Sequence, residues 1–369
     1  MHNILDYLTW RGDLAFSGKH PFNEVDDLIL ARFSYLPFHL IKFSSYETIQ
    51  TVSQKLLKVK SKDFCWPDDY KLAHLLVDSA RFKNLRVFNF VQHHDTKAER
   101  QFAAITIRIS RRRLYASFMG TDNTIAGWKE DLNLSFMENT PAQLDGVNYI
   151  RRLARRYPFS KILIGGHSKG GNIAIYSALE NPKSIQRRII SVSNYDGPGF
   201  NEKIIQGEHD WKIIERVTTY IAQGSVFGRL LRHPERQLVV LSHGKGIYQH
   251  DVYTWEIDGD QFVSARSSTR SNIIDAAMTK WISRASMAER KLMTDCIYHI
   301  VSFATPDHTI DLSSTPVDWL KKAPSMLAAF AKLPASERKI INDLIKRFAE
   351  SYYQTVKLSR STTQKTQKS

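Results

Sequence analysis

The run Gly165-Gly166-His167-Ser168-Lys169-Gly170-Gly171 constrains this chain more than any other stretch. It follows Lys161-Ile-Leu-Ile164, an apolar segment of the kind a buried parallel strand shows. It precedes Asn172 to Leu179, which reads as a helix with Pro182 beyond its end. Gly166-His167-Ser168-Lys169-Gly170 is therefore a G-x-S-x-G pattern in the strand–turn–helix setting that a nucleophile turn requires. Side chains two residues either side of the serine would collide with the neighbouring strand and helix. The sharp turn lifts the hydroxyl above the C-terminal edge of the strand, and the N–H groups opening the helix point to where an oxyanion would develop. The competing reading is a glycine-rich phosphate cradle. Against it, the dinucleotide pattern G-x-G-x-x-G is absent, and Lys169 precedes its glycine, so the P-loop spacing fails.

The surrounding chain alternates in the way such a turn demands. Phe102 to Ile109 and Leu114 to Met119 are β-rich, with Arg111 to Arg113 suited to an exposed hairpin turn. Leu144 to Arg156 carries apolar residues on one helical face. Arg188 to Ser193, Val217 to Ile221 and Leu238 to Leu241 read as further strands, and a helix interrupted near Gly207 is expected between Lys203 and Arg216. This spacing predicts an α/β fold, a mostly parallel sheet with helices on both faces. Helical segments precede and follow it. Asn23 to Asp27 looks like a capped helix start, Ser286-Met-Ala-Glu289 is a capping box, and Ser336-Glu337 opens a helix with Ile340, Ile341, Leu344, Ile345 and Phe348 on one face. Four regions result: a helical segment 1–84 that is a candidate lid or cap, a core 85–265, a helical region 266–356, and a basic tail 357–369 expected to lack regular structure.

The strand Leu114 to Met119 leads into Gly120-Thr121-Asp122, the place from which a second oxyanion N–H would come. Phe118-Met-Gly-Thr121 with Trp128 to Leu132 resembles the oxyanion segment of the class 3, fungal-type lipases. The serine turn and Asp196-Gly-Pro-Gly-Phe200 fit that group as well. The opening residues, Asn3 to Tyr7, Trp10 to Asp13 and Pro21 to Asp26, look closer to an uncharacterised bacterial lipase-like branch of the α/β-hydrolases. The resemblance covers roughly residues 1–265 and implies hydrolysis of acyl esters or lipids. It implies that the backbone N–H groups of Thr121 and Lys169 form an oxyanion hole. The Thr121 hydroxyl would be an added donor, and Asp131 would steady the loop. Core packing is an equal explanation for Trp128, and a helix-start carboxylate for Asp131.

In α/β-hydrolases the base lies well after the serine, and the acid between them. Among His233, His243 and His250, the resemblance selects His250, whose Tyr248-Gln249-His250 segment and following Trp255 match the histidine loop; His243 is the rival. The acid departs from the pattern. Class 3 lipases carry an aspartate just after the strand that is here Val217 to Ile221, but this chain has Ala222-Gln223-Gly224-Ser225. Asp196, at the end of the preceding strand, is the best substitute. Asp251 is poorer, because adjacent side chains rarely face each other. A Ser–His dyad and a turn residue at Asp196 remain open.

Such chemistry needs no metal or organic cofactor. His93-His94-Asp95 suggests metal binding only weakly, in what reads as a polar loop. The net charge of +15 and the runs Arg111–Arg113, Arg151-Arg152, Arg155-Arg156 and Arg187-Arg188 raise anionic lipid as a peripheral partner. No helix-turn-helix, zinc-finger or RNP-like pattern supports nucleic-acid binding. Two cysteines in 369 residues exclude a disulfide scaffold and suit a cytoplasmic setting. Three function classes follow: a serine hydrolase on acyl esters, a non-catalytic binding module that keeps the fold, and a basic membrane-surface or nucleic-acid protein.

Overall fold

The computed structural model describes residues 2–42, 44, 46–95, 98–122, 129–130, 133–134, 136–304 and 316–366. Its centre is an eight-stranded sheet whose spatial order follows the chain. The strands are β1 (Glu47–Thr48), β2 (Arg86–Asp95), β3 (Arg100–Ser110), β4 (Arg113–Phe118), β5 (Lys161–His167), β6 (Ile189–Tyr195), β7 (Val217–Ala222) and β8 (Arg236–Val240). Neighbours from β1 to β4 are antiparallel; those from β4 to β8 are parallel.

This order has a consequence for the layers. When parallel strands follow one another in sequence order, right-handed crossovers carry their helices to the same face. The helices Pro141–Arg156 and Lys169–Leu179 indeed share one core cluster with Leu114, Ala116 and Phe118 of β4 and Ile162 and Ile164 of β5. The alternate residues Tyr115 and Leu163 face the other way. That second face needs its own cover, and the N-terminal segment supplies it. The helix Glu24–Phe33 is buried from Val25 onward and lies against β4 and β5. The N-terminal segment, a candidate lid or cap on its sequence, contributes a core layer here.

Buried polar groups fix that layer in place. Asn23 caps the helix Glu24–Phe33 as its spacing predicts. Asp27 accepts hydrogen bonds from Tyr115 Oη at 2.6 Å and Tyr195 Oη at 3.0 Å. Arg32 pairs with Asp69 at 2.6 Å, both buried, and Arg81 pairs with Asp26.

Two local readings are corrected. His93-His94-Asp95 belongs to β2, paired with β3, and is no loop; Arg100 and His93 both engage Asp145. Among the described residues no group of three or more His, Cys, Asp or Glu is placed to hold a metal. Residues 203–216 form only short turns of helix, Glu202–Ile205 and Trp211–Arg216.

After the sheet the described residues form the helices Thr269–Arg284, Met287–Ala304, Pro316–Lys332 and Ala335–Thr366. The last continues to Thr366, into the stretch from Lys357 expected to lack regular structure, because extending an existing helix costs far less than nucleating one. Among the described residues, the Lys129–Asp295 ion pair at 3.1 Å and hydrogen bonds to the loop after β7 tie these helices to the core. Ser271 Oγ donates to the Ser225 carbonyl at 2.9 Å, and Ser268 N–H donates to the Gln223 carbonyl at 2.9 Å. Among the described residues no helix is long and apolar enough to cross a membrane.

Candidate active site

β5 ends at His167, and Ser168 turns the chain into the helix Lys169–Leu179. Ser168 has φ +58°, in the left-handed region that a β-carbon disfavours. Its N–H donates to the Tyr195 carbonyl of β6 at 2.9 Å, which holds the turn against the sheet. Gly170 lies against the Phe118 carbonyl of β4, so a β-carbon there would overlap backbone. The close approach accounts for the glycine.

The histidine comes from the loop after β8. His250 Nδ1–H donates to Asp196 Oδ2 at 2.7 Å. That leaves Nε2 as the acceptor, and Ser168 Oγ lies 3.0 Å from it. Serine, histidine and aspartate are thereby joined in one chain of hydrogen bonds across β5, β6 and the loop after β8. His243 is exposed and Asp251 is engaged elsewhere, accepting from Tyr253 N–H at 3.0 Å; neither joins the chain. Burial pushes the Asp251 carboxyl up to about 6. His233 pairs with Glu235 at 2.7 Å instead.

Asp196 is fully buried and held by the segment that lacks an acid of its own. Ser225 Oγ donates to Asp196 Oδ2 at 2.5 Å and Ala222 N–H to Oδ1 at 3.3 Å. The end of β7 thus presents donors where a carboxylate was looked for. The end of β6 presents the carboxylate.

The predicted oxyanion residues sit on either side of the serine. Lys169 is the first residue of the helix after it. Thr121 follows Gly120, and a β-carbon at Gly120 would lie 3.1 Å from Ser168 Cβ, so that backbone runs directly beside the serine. Asp131 and Trp128 fall outside the described residues.

Sequence reasoning missed three residues. His167, the variable position before the serine, is buried; its Nε2–H donates to the His250 carbonyl at 2.9 Å. Its Nδ1 accepts from Tyr35 Oη at 3.1 Å, so Tyr35 is the second. Burial first, and then the charges of His250 and Arg32, hold His167 well below the usual imidazole range. The third is Glu130, beside the predicted Asp131. It pairs with the buried Lys169 Nζ at 2.9 Å and accepts the N–H groups of Gln101 and Ala142. The short polar pattern Lys129-Glu130-Asp131 was its only signal.

A family model describes residues 76–299, more than half of the sequence. The chain belongs to the Mbeg1-like family. This Mbeg1-like protein has an α/β fold, a mostly parallel eight-stranded sheet with helices on both faces. It is similar to the Lip2 lipase of Yarrowia lipolytica, at 12% identity over 66% of this chain and 87% of that one, with a TM-score of 0.36. It is similar also to the lipase of Rhizopus microsporus var. chinensis, at 12% identity over 68% and 82%, TM-score 0.36. A third similar structure is a triacylglycerol lipase described as having a serine protease triad at its catalytic centre, at 14% identity over 63% and 83%, TM-score 0.37. No curated protein matches the chain in sequence.

Proposed function

We propose that this Mbeg1-like protein is a serine hydrolase that cleaves carboxylic acyl esters through an acyl-enzyme on Ser168. The observation that carries the proposal is the hydrogen-bonded chain from Ser168 through His250 to Asp196. Ser168 Oγ attacks the acyl carbonyl as its proton passes to His250 Nε2. The carbonyl oxygen becomes an oxyanion facing the N–H groups of Thr121 and Lys169, with the Thr121 hydroxyl as a further donor and Asp131 steadying the loop. As the carbonyl re-forms, the ester C–O bond breaks and His250 returns the proton to the leaving alcohol oxygen. Water then repeats the sequence on the acyl-enzyme, giving the carboxylic acid and free Ser168. Asp196 orients the imidazole and stabilises its cation. The missing acid after β7 favours a non-catalytic binding module, and the bond between Asp196 and His250 supports the hydrolase reading against it.

Two further assignments belong to this proposal. The protein works in a reducing, cytoplasmic setting, in keeping with its two cysteines. It touches anionic lipid through exposed arginines, among them Arg111, Arg112 and Arg113.

The test is a fluorophosphonate probe read by intact mass. One adduct is expected on the wild type and none on Ser168→Ala. A folded wild type that stays unmodified with and without detergent overturns the hydrolase reading in favour of a binding module.

A further inference from the structure

We propose that the C-terminal helices build the acyl-chain subsite of this protein, that it takes one linear aliphatic chain, and that Phe348 helps to set the length accepted. The proposal rests on the hydrolase reading of Ser168.

A cavity of about 410 Å³ reaches Ser168 between the catalytic core and the C-terminal helices. This is within the usual range of small-molecule sites. Phe227 and Leu230, from the loop after β7, form the core side; Trp281, Met293 and Phe348, from three different helices, form the other. The Trp281 and Phe348 rings meet edge to face at 5.6 Å. Trp281 Nε1–H is bonded to the Leu344 carbonyl at 2.9 Å, so the indole's only polar hydrogen is already engaged.

The charged residues in the wall are held by the protein. Glu289 pairs with Arg347, and the Arg290 guanidinium donates to the Ala285 carbonyl at 3.1 Å and the Ile282 carbonyl at 2.5 Å. What remains is a wall that is apolar except for Thr294 and ends at the Ser168 hydroxyl. That chemistry suits an alkyl chain attached to a carbonyl at Ser168, and not a sugar, a nucleotide or a charged head group. The chain is assigned to the acyl and not the alcohol half of the ester for a kinetic reason. The acyl group stays on Ser168 through both half-reactions, whereas the alcohol must leave before water enters.

Phe348 and Leu344 lie beyond residue 299, where the family match ends. Part of the wall is therefore built from a segment outside the region that the family model matches. Chain-length preference is then a property of this chain, and not of the family region alone.

Each methylene moved from water into an apolar site is worth about 0.8 kcal/mol, or roughly a fourfold rise in kcat/KM, until the cavity is full. p-Nitrophenyl esters from acetate to palmitate should therefore climb to an optimum and then level or fall. Phe348→Ala should move the optimum to longer chains and Phe348→Trp to shorter ones. Opposite shifts from one position cannot come from loss of folding. An alkyl acetate series should show no such climb. A flat acyl profile, one optimum shared by all three proteins, or a climb only along the alcohol series would overturn the subsite. Calorimetric titration of the Ser168→Ala protein with saturated fatty acids separates the two proposals. Chain-length-dependent binding without phosphonate labelling keeps the subsite and removes the hydrolase. Labelling without chain-length dependence in either assay does the reverse.

Discussion

His167 shows how much a site depends on a residue that no motif marks. Its position in G-x-S-x-G is free in the pattern, yet here it bridges Tyr35 to the backbone of His250. A carbonyl only accepts, so Nε2 must carry the proton and Nδ1 must be bare to accept from Tyr35. Protonation would place a second N–H against the tyrosine and a cation in a buried site. The sign of the pH effect follows. An unfolded imidazole takes a proton near pH 6.5, while the folded one resists it to well below that value. Between those two values only the unfolded chain gains the proton. The stability His167 permits is thus complete above about pH 6.5 and is lost as the pH falls toward its folded value. Asp27, pushed up to about 7 by burial, acts in the opposite direction, as does Asp251; folded stability declines as pH rises toward their values. Both are present in wild type and variant alike. Thermal unfolding from pH 7.5 to 5 should therefore show wild type losing Tm more steeply than His167→Gln. Parallel slopes would mean that His167 is not the acid-sensitive group.

At the scale of elements, the unread link is the buried pair between Glu130 and Lys169. The carboxylate also takes N–H bonds from Gln101 on β3 and from Ala142 at the start of the helix Pro141–Arg156. One residue thus ties the segment before the crossover helix to the first residue of the helix behind the serine. Removing one partner of such a pair leaves a buried charge and costs about 3–5 kcal/mol, whereas replacing both is often nearly neutral. Lys169→Met should destabilise by about that amount in urea, and Glu130→Gln/Lys169→Met should recover most of it. Equal losses in the single and double variants would show that the two charges are not coupled. The elements themselves were unevenly legible. β4, β5 and the helix after Ser168 stand out because apolar runs end at glycines. Asn23 and Ser286 announce their helices through capping side chains. β2 was hidden by its polar end, Gln92 to Asp95, which reads as loop until β3 is seen to pair with it. The layer made by Glu24–Phe33 was hidden for a different reason. Which face of a sheet lacks cover depends on strand order, and no local pattern carries strand order. Asp196 was legible as the last carboxylate before a Gly-Pro turn. Its bond to His250 spans 54 positions and had to be seen.

The whole molecule has two unlike ends, and strand register separates them. Phe118 pairs with Gly166 and His167 with Tyr195 at the end that carries Ser168. At the other end Arg86 pairs with Arg108 and Arg113 with Lys161, with Arg236 opening β8. The turn Arg111–Arg113 and Arg155, Arg156 and Arg187 are exposed at the same end. Seven residues of β5, about 20 Å of strand, lie between these ends. Amid the arginines stands Phe159, an aromatic ring 86% exposed. A basic rim around an exposed ring suits an anionic bilayer, with the ring at the headgroup boundary and the arginines on the phosphates. The geometry then turns the Ser168 end away from the bilayer. Attachment at the basic end and hydrolysis at Ser168 should therefore be independent. Each arginine near an anionic surface is worth about 1 kcal/mol, so replacing Arg111, Arg112 and Arg113 by serine should weaken binding to phosphatidylserine vesicles roughly a hundredfold. Hydrolysis of a water-soluble ester should be unchanged in that variant, and vesicles should not accelerate it in the wild type. Binding that survives the triple replacement, or turnover that rises when vesicles are added, would place the contact at the Ser168 end. Salt-sensitive retention on duplex DNA without vesicle binding would instead make the basic end a nucleic-acid surface.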